Sequence, residues 1–203
     1  MSRNVTVIAT GTANIASVIA GLRRGGVEPQ IASDAAQIAA ADRVVLPGVG
    51  SFGAAMSNLD HSGVGTVLTE RVEEGRPTLA VCVGLQLLCA SSEENPGVAG
   101  LGVIRDEATR FGNVVRVPQI GWNRVEPEPD TRYLKPGWAY FAHSYRLASI
   151  PDGWSGATAD YGDRFVAGLE RGDVLACQFH PELSGSWGAE LLSRWLTATG
   201  GGS

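Results

Sequence analysis

The sequence predicts an α/β fold, a central and mostly parallel β-sheet with flanking helices and an added mixed or antiparallel β region. Two patterns and one size argument predict it. Through the N-terminal part, short apolar runs alternate with segments of helical periodicity, as expected of strand–helix–strand units whose sheet is covered on both faces. From about residue 101 to 177 the pattern changes to short β-rich runs broken by Gly and Pro. The chain has 203 residues, 44% hydrophobic and 18% charged, enough to bury one proper core. Residues 1–203 are therefore expected to form a single domain.

Taken in order, residues 5–9 (Val-Thr-Val-Ile-Ala) read as a strand, 13–24 as a helix and 27–32 as a second strand. A helix is expected after Ser33-Asp34, whose side chains suit a helix N-cap. Residues 43–46 form a strand that leads into the glycine-rich loop Pro47-Gly-Val-Gly50, residues 64–74 a helix, and residues 78–81 a strand that delivers Cys82. Residues 187–198 look helical, and the tail 200–203 is expected to fray. There is no repeat, linker or low-complexity tract.

The stretch Thr78-Leu-Ala-Val-Cys82-Val-Gly-Leu-Gln-Leu-Leu88 carries the most chemistry. A cysteine where a strand turns sharply into a helix is held in a strained backbone, and the residues two before and two after it must be small. Here they are Ala80 and Gly84. The positive end of the following helix would favour thiolate over thiol, and the N–H of Val83 would face a developing oxyanion. Read alone, the segment also fits a buried structural cysteine.

A base stands near the C-terminus, in Val174-Leu-Ala-Cys-Gln-Phe-His180-Pro-Glu182. If this run is extended, positions i and i+2 share a face and His180 lies beside Glu182. A carboxylate there would fix the imidazole tautomer and stabilise its protonated form. Cys82, His180 and Glu182 thus read as a catalytic triad.

Other features exclude function classes. A formal net charge of −5 gives no broad basic footprint for nucleic acid. Cys82, Cys89 and Cys177 form neither an even disulfide framework nor a C-x-x-C pair, which fits a reducing compartment. Residues 1–20 lack a signal pattern, and no run approaches the roughly 18 apolar residues of a membrane span. A soluble, cytoplasmic protein is expected. The scattered His and Cys residues supply no metal-ligand spacing, no phosphate-loop or dinucleotide motif is present, and no cofactor is expected. His143 reads as structural, His61 as exposed in a polar connection, and Cys89, about two helical turns after Cys82, as core.

Six ordered motifs resemble the class I glutamine amidotransferases, and among them the glutaminase subunits of imidazole glycerol phosphate synthase. They are Leu46-Pro-Gly-Val-Gly-Ser-Phe-Gly53, Cys82-Val-Gly-Leu-Gln-Leu-Leu88, Ser92-Glu-Glu-Asn-Pro-Gly-Val98, Gly121-Trp-Asn123, Tyr140-Phe-Ala-His-Ser-Tyr145 and Gln178-Phe-His-Pro-Glu182. The resemblance covers nearly the whole chain. It implies a flavodoxin-like fold and hydrolysis of glutamine through a Cys82 thioester. It implies an oxyanion hole from Val83 and the peptide around Val49 and Gly50, preformed or flipped into place. Substrate contacts are implied at Gly48, Gln86, Glu94, Ser144 and Tyr145. It also implies a (β/α)8 cyclase subunit as partner, docked near Asn14, Trp122, Asn123 and Tyr140, and a glutaminase that is weak until that partner and its ligand bind.

The chain departs from the family pattern at several positions. Ala80 stands where glycine is common, Leu183 where lysine is common, Gln119-Ile120 where His-Met is usual, and Thr12-Ala13 where the sequence is usually Gly-rich. None touches the triad; all bear on docking or activation. Two rivals stay open at this point: a glutaminase serving another class I amidotransferase, and a catalytically silent binding subunit.

Overall fold

The computed structural model describes residues 4–9, 15–48 and 50–199. The expectations for Asn14, Val49 and the tail 200–203 lie outside them.

The N-terminal half alternates as the sequence predicts: β1 (Val5–Ile8), α1 (Ile15–Arg24), β2 (Gln30–Ala32), α2 (Ala35–Ala40), β3 (Arg43–Leu46), α3 (Phe52–Ser62), α4 (Val64–Glu73), β4 (Thr78–Val81) and α5 (Val83–Leu87). Strand β1 pairs in parallel with both β2 and β3, and β3 with β4. The chain therefore moves outward from β1 to β2 and then returns past β1 to β3. Right-handed crossovers in opposite directions put α1 on one face of the sheet and α2 on the other. Every residue of β3 and β4 is buried, as a sheet covered on both faces requires.

The second half supplies β5 (Cys89–Ser92), β6 (Ile104–Arg110), β7 (Gln119–Pro127), β8 (Gly137–His143), β9 (Tyr145–Arg146), β10 (Ser155–Tyr161), β11 (Asp163–Arg171) and β12 (Val174–Cys177), then a 3-10 turn Pro181–Leu183 and α6 (Gly185–Ala198). Nine strands form one sheet in the order β2-β1-β3-β4-β12-β11-β10-β7-β8. Strand β12 is parallel to β4, and from β11 outward the pairings are antiparallel, the expected added region. Strands β5, β6 and β9 form a separate small sheet.

Three local expectations are corrected. Helix α3 is absent from the sequence prediction because Gly53, Ser57, Asn58 and Asp60 depress its intrinsic propensity. It forms nonetheless because Phe52, Ala55, Met56 and Leu59 make one buried stripe, Ser51 caps it through Ala54 N–H at 3.4 Å, and left-handed Gly63 ends it. His61 accordingly sits in the last turn of a helix rather than in a connection, though it is exposed as expected. Cys89 is buried as expected, but it opens β5, because α5 stops at Leu87.

Candidate active site

Cys82 follows the last residue of β4 with φ 54° and ψ −110°, the one non-glycine residue at positive φ among the described residues. Its N–H donates to the Cys177 carbonyl at 2.7 Å, which carries the β4–β12 pairing one residue past β4. Tight packing enforces the corner. A β-carbon on Gly84 would lie 2.4 Å from the Leu46 carbonyl oxygen, so the demand for a small residue two positions after the cysteine is real. Helix α5 has only five residues. The side chains around the sulfur therefore matter more than a long helix dipole.

Because Cys177 lies beside Val81 in the β12–β4 register, the chain leaving β12 runs past Cys82. There His180 donates its backbone N–H to the Tyr140 carbonyl at 2.9 Å, and its Nδ1 lies 2.9 Å from Glu182 Oε1. The carboxylate takes the Nδ1–H, leaving Nε2 for Cys82. Burial works against a charged imidazole, yet hydrogen bonds and charge from Cys82 and Glu182 outweigh it and raise the His180 pKa to about 10. The imidazole is thus biased toward its charged form. The adjacency of His180 and Glu182 does not arise from an extended run, however. His180 is extended, but Glu182 belongs to the 3-10 turn Pro181–Leu183, which folds its carboxylate back. Arg24 fixes that turn by donating to the Glu182 carbonyl at 2.9 Å, and α1 closes on it so tightly that a β-carbon on Gly21 would lie 2.7 Å from Glu182 Cβ.

A cavity of about 180 Å³ opens beside the sulfur, lined by Gly50, Cys82, Val83, Gln86, Glu94, Pro118, Ala142, His143, Ser144 and Tyr145. It gathers most of the residues singled out for substrate and oxyanion contacts. Gly50 has φ 96°, a conformation that favours glycine. Gly48 is not in the lining. Its part is packing, since a β-carbon there would fall 2.0 Å from Gly84 N. One oxygen of Glu94 accepts the Phe52 N–H at 2.7 Å, so the carboxylate that faces the cavity also holds the start of α3.

His143 lies in β8 among aromatic residues as expected, with the rings of Phe111, Phe141 and Phe165 centred 5.2–5.6 Å away. Burial pushes its pKa down to about 4, and its Nδ1 donates to the Tyr145 carbonyl at 2.9 Å. Pro118 and Ala142 were given no role in the sequence analysis, since nothing in a Pro or Ala side chain points to a cavity wall. Gln178 was also missed: it is fully buried and its Nε2 lies 3.8 Å from Cys82 Sγ. Its two-residue offset from His180 was the available signal.

The residues expected at a partner surface separate. Trp122 and Tyr140 face each other across β7 and β8 with ring centroids 6.2 Å apart, and Trp122 is exposed along with Ile120, Trp138 and Leu183. Asn123, next to Trp122 in β7, is turned to the opposite face and donates its amide to the Asp160 carbonyl at 2.8 Å. Among the described residues no His, Cys, Asp and Glu cluster could hold a metal ion, and no helix is long and apolar enough to cross a membrane.

The family model for glutamine amidotransferase class-I matches residues 7–198. The chain belongs to the class I glutamine amidotransferases. Its amidotransferase fold is also that of a crystal structure described as a glutamine amidotransferase, with TM-score 0.78 and 23% identity over 97% of this chain and 99% of that one. PurLQS from Thermotoga maritima shares the fold at TM-score 0.75 and 16% identity, covering 98% and 99% of the two chains. Closer in sequence is the imidazole glycerol phosphate synthase subunit HisH of Symbiobacterium thermophilum, 38% identical over 195 residues, 94% of this chain and 92% of the relative. The HisH of Bacillus subtilis is 38% identical over 200 residues, 94% of each chain. The chloroplastic imidazole glycerol phosphate synthase hisHF of Arabidopsis thaliana is 40% identical over 199 residues, 95% of this amidotransferase but 34% of the plant chain.

Proposed function

We propose that this amidotransferase is the glutaminase subunit of an imidazole glycerol phosphate synthase, a single domain over residues 1–203 that works in the cytoplasm. It hydrolyses glutamine and passes ammonia to a cyclase subunit. The observation that carries the reading is near full-length identity of 38% to relatives named as HisH subunits. The plant relative, of which the matched segment is 34%, supports a division of labour with a second catalytic unit.

Glutamine enters the cavity with its ammonium toward Glu94 and its carboxylate toward the backbone of Ser144 and Tyr145. The Cys82 thiolate attacks the side-chain amide carbon, and the oxyanion forms opposite the N–H of Val83 and the peptide at Gly50. As the C–N bond breaks, His180 gives its Nε2 proton to the departing nitrogen, which leaves as ammonia. Water then adds to the thioester with its proton passing to His180, and the C–S bond breaks to return thiolate and release glutamate. Glu182 holds the imidazole throughout.

Ammonia released into water at neutral pH becomes mostly ammonium, a poor nucleophile, so the product is useful only if a partner covers the site. The exposed face of β7 and β8, with Trp122 and Tyr140, adjoins His180 through the Tyr140 carbonyl and is the surface proposed to meet the (β/α)8 cyclase. The test supplies amide-15N glutamine, the cyclase subunit and its phosphoribulosyl-formimino substrate. Label in imidazole glycerol phosphate, with aminoimidazole carboxamide ribotide as co-product, is the expected result; release of all label to solution would overturn the assignment.

A further inference from the structure

Three groups stand behind the nucleophile in a chain of hydrogen bonds that starts at a backbone carbonyl. Gln86 Nε2 donates to the Tyr145 carbonyl at 2.9 Å and to Gln178 Oε1 at 3.2 Å, and Gln178 Nε2 donates to Cys82 Sγ at 3.8 Å, within reach for sulfur. The backbone end fixes the polarity of the chain. A carbonyl can only accept, so Gln86 must turn its NH2 toward Tyr145. That NH2 also faces Gln178, which must present its oxygen there and therefore its NH2 to the sulfur. Gln178 is fully buried, and turning its amide over would set its NH2 against that of Gln86 and lose the bond between them.

We infer that Gln178 is a further catalytic residue, whose side-chain N–H holds the Cys82 sulfur as a thiolate and receives it again as the leaving group when the thioester is hydrolysed. The inference rests on the glutaminase reading above for its chemistry, but the hydrogen bond it invokes acts on the free protein. A second contact sharpens the argument. The Cys82 thiol can donate to the Ala142 carbonyl at 3.8 Å, an interaction that favours the protonated sulfur. The Gln178 donor opposes it. With Gln178 gone, the sulfur keeps one partner that prefers thiol and one, His180, that prefers thiolate. The same chain reaches the Tyr145 carbonyl at the edge proposed to bind the substrate carboxylate, so the sulfur and that edge are positioned by one rigid unit.

The test is the pH profile of Cys82 alkylation by iodoacetamide, followed by mass spectrometry of its peptide, in the wild type and in Gln178→Leu and Gln178→Glu. Other titratable groups around the sulfur, namely His180 with Glu182 behind it, and Glu94, His143 and Tyr145 in the cavity wall, are unchanged in all three proteins. Gln178→Leu removes donor and acceptor. Gln178→Glu keeps the shape and the acceptor for Gln86, and serves if the leucine variant does not fold. The midpoint for thiolate formation is expected to rise by about one pH unit in the leucine variant, slowing alkylation about tenfold below the midpoint, and further in the glutamate variant. A purely structural role would lower thermal stability and leave the midpoint in place. An unchanged or lowered midpoint in the folded variants overturns the inference. Glutamate release by the wild type is measured alongside; its absence would count against the proposed function and leave the alkylation profile to decide the role of Gln178.

Discussion

A β-carbon on Gly48 would stand 2.0 Å from the backbone nitrogen of Gly84. The glycine-rich loop after β3 and the corner after β4 are thus packed backbone to backbone, and the first loop buttresses the strained φ of Cys82. Neither backbone can yield without opening the corner. Gly48→Ala is expected to destabilise the protein by about 1–3 kcal/mol or more and to reduce glutamine turnover at least tenfold. Urea unfolding and glutamate release check the two halves, and a variant of wild-type stability would show that the loop can move aside.

The ion pair at the nucleophile carries a pH signature. His180 is raised from 6.5 to about 10, so its contribution to stability is fully present below about pH 6.5 and is lost as pH climbs through about 10. His180→Asn should therefore be less stable than wild type near neutral pH, with the gap closing above about pH 10. Unfolding curves for both proteins at the two pH values measure the gap.

Glu170 anchors the turn before β8, and in the sheet register it lies level with Leu79 rather than with Cys82. Its carboxylate accepts the N–H groups of Arg132, Tyr133 and Leu134 at 2.7, 2.9 and 2.6 Å. Glu170→Ala leaves these donors without their acceptor and is expected to lower stability by about 3 kcal/mol or more. Glutamine turnover per folded molecule should be unchanged, which thermal unfolding and an assay well below the melting temperature separate.

Trp122 and Asn123 make a paired comparison. Trp122→Ala removes an exposed aromatic from the proposed docking face and should weaken cyclase binding by about 2 kcal/mol, roughly thirtyfold, with little change in stability. Asn123→Ala removes a bond to the neighbouring β10 and should leave cyclase affinity nearly intact. Titration calorimetry of each variant with the cyclase subunit reports both affinities.

Much of this architecture was legible in the residues. The strands Arg43–Leu46 and Thr78–Val81 were readable because each carries a short apolar run, residues 44–46 and 79–81, behind one polar residue, as a strand buried on both faces requires. Helix α3 was not, since its buried stripe is interrupted by Gly53, Ser57 and Asn58, which local propensity weighs against it. The nearness of His180 and Glu182 was foreseen for the wrong reason: an extended i, i+2 pair was expected, and a 3-10 turn held by Arg24 makes the contact instead. Gln178 was quoted in a motif but given no role: beyond its two-residue offset from His180, its meaning depends on the parallel register of β12 with β4 and on a carbonyl at Tyr145, more than thirty residues away in sequence. Contacts set by register and by side-chain polarity leave little local signature.

The most direct test of the central claim is glutamate release from glutamine by this protein alone and then with the cyclase subunit and its nucleotide substrate, using Cys82→Ala as control. The account predicts slow release alone, strong stimulation when both are added, and none from the alanine variant. Release that ignores the cyclase and its substrate, or that survives loss of Cys82, would contradict it.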